Sequence, residues 1–355
     1  MGKILPERGW DDDEPRARRA GIDSSPIRCL IDRGGTAAVR HNRGGGVFGG
    51  STIDVPAHPS HRADLRAAAP ATRGGRARSS TRRFRSTVEA LEALSLEGAR
   101  VSVHVIELDR GEAVLAGDDH MPLPVGGLGV VPLLVEVAAQ FDAGTLDPFE
   151  LSDRSDLDDA GASGVWRLLA APTLPLADLA VLASSSGDAL AANALLDRVG
   201  HEQVTRRLVS LGMPRSALLD RFREERGPDD APHVALGTAR EYAALFAALA
   251  ARTVVSRDVS TRVTDWLTPS ADAGLVGAML GLDPLSHGED EHGLVHFGRT
   301  GREPGARAEA GVIAGRRAEF AYAMIIAFDD LSPLHRHRAH SAFHALGNDL
   351  MEYAV

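Results

Sequence analysis

The sequence predicts a mixed α/β domain in which a block of helices is framed by two sets of strands. Three observations lead there. The segment Arg100–Leu108 alternates apolar and polar residues as a half-buried strand does, turns at Asp109-Arg110-Gly111 and returns through Ala113–Ala116. From Val130, the positions Val130, Val131, Leu133, Leu134, Val137, Ala138 and Phe141 fall on one broad helical face. Near the end, Val295–Gly301 precedes a hairpin of Ala306–Gly315 and Glu319–Phe328.

Composition divides the chain. Residues 1–86 hold 17 Lys and Arg against 9 Asp and Glu, and the remainder holds 22 against 40. The first segment is rich in Gly, Arg, Ala, Ser and Pro without sustained periodicity, the signature of disorder or of upstream reading frame. Its Gly44–Gly49, GGGVFG, matches a dinucleotide fingerprint formally but lacks the flanking strand, helix and acidic residue. Arginines between Arg73 and Arg85 could attach to nucleic acid, and a solvated tail is the simpler expectation. The single Cys29 excludes an internal disulfide and a cysteine metal cluster. No run of eighteen apolar residues suggests a membrane span, and no apolar core follows the N-terminal charges or Arg82-Arg83. The expected location is the cytoplasm. One domain over residues 87–355 is expected, with a helical half at about 125–270 and a sheet half from 99–120 and 293–355.

Each element has its local cause. VEALEAL near Val88 makes a short helix. Gly126, Gly127, Leu128 and Gly129 form a turn feeding the Val130 helix, Pro132 sits where a missing N–H costs nothing, and Gly144 ends it. In Ser152–Gly164 the acids Asp153, Asp156, Asp158 and Asp159 lack calcium-loop spacing. Leu174–Gly212 reads as helices broken at Ser184–Gly187, with Ser184, Ser185 and Ser186 expected to cap. Tyr242–Leu267 is helical, and a final helix spans about Leu334–Met351. Its His335, His337, His340 and His344, like the loop residues His287 and His292, have no metal-ligand spacing. No metal and no cofactor is expected.

The Leu123–Asp147 stretch resembles the Ser-x-x-Lys helix of class A β-lactamases and related serine hydrolases of the penicillin-binding fold. Gly127 stands at the serine position and Val130 at the lysine position. The next landmark is Gly187-Asp188-Ala189-Leu190-Ala191-Ala192-Asn193, similar to the Ser-Asp-Asn motif and the helix after it. There Gly187 and Ala189 replace the proton-relaying serine and the amide-holding asparagine. The resemblance gives Asp188 and Asn193 structural roles, with Asp188 bracing its loop through backbone hydrogen bonds. Leu218–Glu241 resembles the Ω-loop, with Arg223 at the site of the water-activating glutamate and Glu224 and Glu225 beside it. Finally Arg299-Thr300-Gly301 is similar to Lys-Thr-Gly, whose cation and hydroxyl hold the substrate carboxylate and whose glycine lets substrate lie against the strand. Lys3 is the only lysine in the chain, so the folded region has no ammonium base.

The resemblance implies an α/β sandwich with a five-stranded antiparallel sheet beside a mostly helical half. The function expected is that of a catalytically inactive homologue whose cleft holds a carboxylate-bearing small molecule or peptide at Arg299, Thr300 and Gly301, or a protein partner. Two alternatives stand beside it: an active hydrolase using Ser163, Ser184, Ser185 or Ser186, and nucleic-acid binding through the basic tail.

Overall fold

The computed structural model describes residues 84–286, 293–330 and 332–355. The tail through Arg83, with Lys3, Cys29 and Gly44–Gly49, lies outside the described residues, as do His287 and His292. The described residues begin at Phe84, close to the expected boundary at residue 87. Phe84 is buried against Phe320 and Tyr353, and helix α1 (Arg85–Leu96) starts from it. An aromatic side chain supplies enough buried area to anchor a chain end.

Strands β1 (Arg100–Glu107) and β2 (Glu112–Gly117) form the opening hairpin. Helix α2 (Val130–Ala143) follows and ends at Gly144 in the left-handed conformation, φ 67°. The turn expected before α2 is itself helical, a 3₁₀ segment Gly126–Gly129. By length and composition Gly126–Ala143 could cross a membrane, yet its residues are mostly buried inside this fold. That is the property of a core helix.

Helices α3 (Leu176–Ser185), α4 (Ala189–Val199), α5 (His201–Ser210), α6 (Ala239–Ala250) and α7 (Arg257–Leu267) complete the helical half. The Tyr242–Leu267 segment is thus two helices, with α7 newly capped by Ser256, whose Oγ accepts from Val259 N. Then come β3 (Val295–Glu303), β4 (Ala306–Ala314), β5 (Glu319–Ala327) and the closing helix α8 (Pro333–Ala354).

These five strands join one antiparallel sheet in the order β2-β1-β5-β4-β3, which leaves β3 at an edge. Side chains alternate across it. Phe297, Ala310, Ala323 and Ile325 pack with α2, α4 and α6 in the larger core, while Ile313, Tyr322 and Met324 face α1 and α8 in a second core. Burying each large aliphatic side chain contributes roughly 1.5–3 kcal/mol, so the sheet is held on both faces. Since Arg299 pairs with Ala310 and Thr300 with Glu309, Arg299 points to the helical half and Thr300 to the opposite face.

Candidate functional site

The β3 edge meets the 3₁₀ turn and the α3–α4 corner, and Arg299 is where the three converge. Its side chain is 6% exposed. Nη1 donates to the Ser184 carbonyl at 3.0 Å, and Ala271 N donates to the Ser185 carbonyl at 2.8 Å. Both bonds satisfy carbonyls at the end of α3, where a cation is also favoured by the helix dipole. Arg299 Nε has no hydrogen-bond partner. Burial pushes the guanidinium pKa down to about 10, a shift that the nearby Asp272 charge partly opposes.

Two glycines make room for that guanidinium. A Cβ on Gly127 would lie 3.5 Å from Arg299 Nη2, and one on Gly187 would lie 2.7 Å from the same atom. Gly187 also has φ +69°, a conformation that disfavours other residues. Val130, one turn beyond Gly127, is 2% exposed in the core, and Ala189 is buried at the start of α4.

Asp188 gathers three backbone donors. Its Oδ2 accepts from Val165 N at 2.8 Å and Trp166 N at 2.7 Å, and its Oδ1 accepts from Ala191 N at 3.0 Å, capping α4. Asn193 clasps one residue of the following loop: Nδ2 donates to Phe222 O at 2.8 Å and Oδ1 accepts from Phe222 N at 2.9 Å. Next to it, Arg223 pairs with Asp230 and Asp220, and Arg226 with Asp220. Glu224 Oε2 accepts from Ala162 N at 3.0 Å, fastening the stretch before Ser163.

Ser184, Ser185 and Ser186 do not cap a helix N-terminus. Their hydroxyls donate back to the carbonyls of Val181, Val181 and Leu182, because the first two still belong to α3 and Ser186 is its last half-turn. Asp188 takes the capping position instead. Among the described residues no hydrogen bond joins Ser163, Ser184, Ser185 or Ser186 to a histidine.

Gly301 is in the tightest contact of the region. A Cβ there would lie 1.8 Å from Val125 O and 2.9 Å from Leu128 N, so the turn before α2 lies directly on β3. Thr300 is 6% exposed, and its Oγ1 donates to Asp272 Oδ2 at 2.5 Å. Arg302 Nη2 donates to Asp272 Oδ1 at 2.5 Å. Asp272 and Arg302 were not foreseen. Arg302 follows Thr300 by two positions on one strand face, a spacing that could have flagged it; nothing in the loop sequence marks Asp272.

Behind Asp272 is a cavity of about 10 Å³, room for about one water, lined by Ser270, His296, Thr300 and Glu309 among others. Glu309 accepts from Val276 N at 2.8 Å and from Tyr322 OH at 2.6 Å. Burial nonetheless pushes its pKa up to about 7 from 4.5. The folded state therefore holds a proton that the unfolded chain has lost between these values. Stability from this group is complete below about pH 4.5 and falls by on the order of 3 kcal/mol as pH rises through about 7. Glu309→Gln is expected to flatten that fall in a series of melting temperatures from pH 4.5 to 8; an unchanged slope would place the proton elsewhere.

Among the described residues no three His, Cys, Asp or Glu side chains are grouped to hold a metal ion. His335 stacks on Phe328 and bonds Asp330, and His344 reaches the Gly274 carbonyl.

A model of the beta-lactamase enzyme family matches residues 83–354. The chain belongs to the beta-lactamase enzyme family. The match begins one residue before Phe84 and runs through α8, so it spans both halves and the edge strand between them. Solved structures agree with the family on fold. A beta-lactamase from Sphaerobacter thermophilus DSM 20745 superposes with TM-score 0.65 at 23% identity, covering 76% of this chain and 96% of that one. An ancestral class A beta-lactamase gives TM-score 0.62 at 20% identity, covering 76% and 99%. PBP-A gives 0.60 at 16%, covering 75% and 96%. No curated protein matches the sequence. The α/β sandwich with its five-stranded antiparallel sheet is thus the fold of this beta-lactamase family member.

Proposed function

We propose that this chain is a beta-lactamase-family protein that forms no acyl-enzyme and keeps only the carboxylate-holding part of the site. The observation that carries this reading is the Arg299 guanidinium filling the space between Gly127 and Gly187. Acyl transfer needs a nucleophile, a base that activates it and a proton path to the leaving group. The positions that the family resemblance assigns to those tasks hold Gly127, Val130, Gly187 and Ala189, none of which ionises. In a subtilisin, loss of the nucleophile alone lowers turnover by about 10⁶.

A hydroxyl with a carboxylate beside it does exist at Thr300 and Asp272. Asp272 is also held by Arg302, whose Nη2 donates to its second oxygen. A protein partner in place of a small carboxylate is compatible with the same absence of acylation.

Incubation with a fluorescent penicillin and with a fluorophosphonate, followed by intact mass measurement, tests the reading. No covalent adduct is expected with either. A stoichiometric adduct on Ser163, Ser184, Ser185, Ser186 or Thr300 would overturn it and restore the active-hydrolase alternative.

A further inference from the structure

We propose that Asp272 is an internal competitor that occupies this protein's own carboxylate site and must leave before a ligand carboxylate can enter. The inference rests on the carboxylate-holding reading above. Two groups suited to a carboxylate meet at the β3 edge, the Thr300 hydroxyl and the Arg302 guanidinium, and the buried Arg299, whose Nε is unpartnered, lines the same small cavity from the other face of the strand. The carboxylate already there belongs to the chain. Its Oδ2 accepts from Thr300, its Oδ1 accepts from Arg302 and from Gly274 N at 3.3 Å, and its charge acts on Arg299.

Asp272 does not come from the sheet. It sits on the segment between α7 and β3, which is held by Ser270 N to Pro284 O, Ala271 N to Ser185 O, Val276 N and Gly277 N to Glu309, and His344 to the Gly274 carbonyl. The Asp272 side chain is 24% exposed and that of Arg302 52%, so solvent reaches the pair. An exposed ion pair is worth only about 0–1 kcal/mol, so a carboxylate ligand with further contacts can displace it. The Thr300 bond is replaced in kind by the incoming carboxylate.

Acetate is the probe. Asp272→Ala is expected to melt below the wild type, and acetate or formate should recover most of that difference as it saturates. Chloride at equal ionic strength should not. Wild type should show no such response, and adding Arg302→Gln or Thr300→Val to Asp272→Ala should abolish it. Hydrogen exchange at Gly274–Gly277 separates a competitor from a plain structural tie: acetate fills the site without restoring protection of the untethered segment. Equal rescue by chloride, no rescue, or restored protection would each overturn the proposal. Should Asp272→Ala not fold, Asp272→Ser, which also removes the carboxylate and empties most of its space, serves in the same series. Acetate rescue is read without any covalent probe, so this inference and the non-acylating reading can fail separately.

Discussion

Gly301→Ala should lower stability by more than about 4 kcal/mol or prevent folding, the largest effect expected of any single methyl group here. Overpacking a core ordinarily costs about 1–3 kcal/mol, because flexible side chains move aside. At Gly301 the obstacles are main-chain atoms, Val125 O at 1.8 Å and Leu128 N at 2.9 Å from the added carbon. Both belong to a turn locked onto a helix buried along most of its length, so the overlap is relieved only by separating turn from strand. Gly227→Ala is the control: its added carbon would come no nearer than 3.6 Å, to Asp230 Oδ2. That change should stay within about 0.5 kcal/mol. Urea midpoints for the two variants decide the matter. If Gly301→Ala were as mild as the control, the turn would not rest on β3 in solution.

The same contact shows where sequence reasoning reached and where it stopped. The Arg100–Leu108 strand and the closing hairpin were legible because alternation follows from one buried face, and each sits in the sheet as expected. The Val130 helix was legible for the corresponding reason at helical period. The Gly126–Gly129 turn was legible as a turn, but not what its glycines are for: Gly126 and Gly127 allow close approach to β3, and Gly129 to Ala235. A glycine permits mobility and tight packing alike, and only the neighbouring chain selects between them. Arg299 illustrates the limit in another form. Its charge suggested a carboxylate ligand, but the atoms it meets first are the Ser184 carbonyl and two missing side chains, Gly127 and Gly187, distant in sequence. Likewise the serines at the end of α3 could have capped or back-bonded; the helix running on through Ser185 decided it.

Asp188→Ala is expected to cost about 3–5 kcal/mol, since each donor left without a partner in a buried site costs roughly 1–3 kcal/mol. Asp188 is 1% exposed and serves Val165 N, Trp166 N and Ala191 N together. The cap alone, the bond to Ala191, would be worth about 1 kcal/mol. Two further variants separate cap from brace. Asp188→Ser can still accept from Ala191 N but is too short to serve the other two donors, so it should recover only the cap. Asp188→Asn keeps the length but turns an amide NH₂ toward donors on one side, and should fall between wild type and Ala. Denaturant midpoints give the order Asp, Asn, Ser, Ala. Hydrogen exchange at Val165 and Trp166 should speed up in Ser and Ala alike, while Ala191 should lose protection only in Ala. Near-complete recovery by Ser would mean that Asp188 is a helix cap and nothing more. The Val165–Trp166 segment would then owe its position to the core around Trp166, which is fully buried, rather than to a carboxylate.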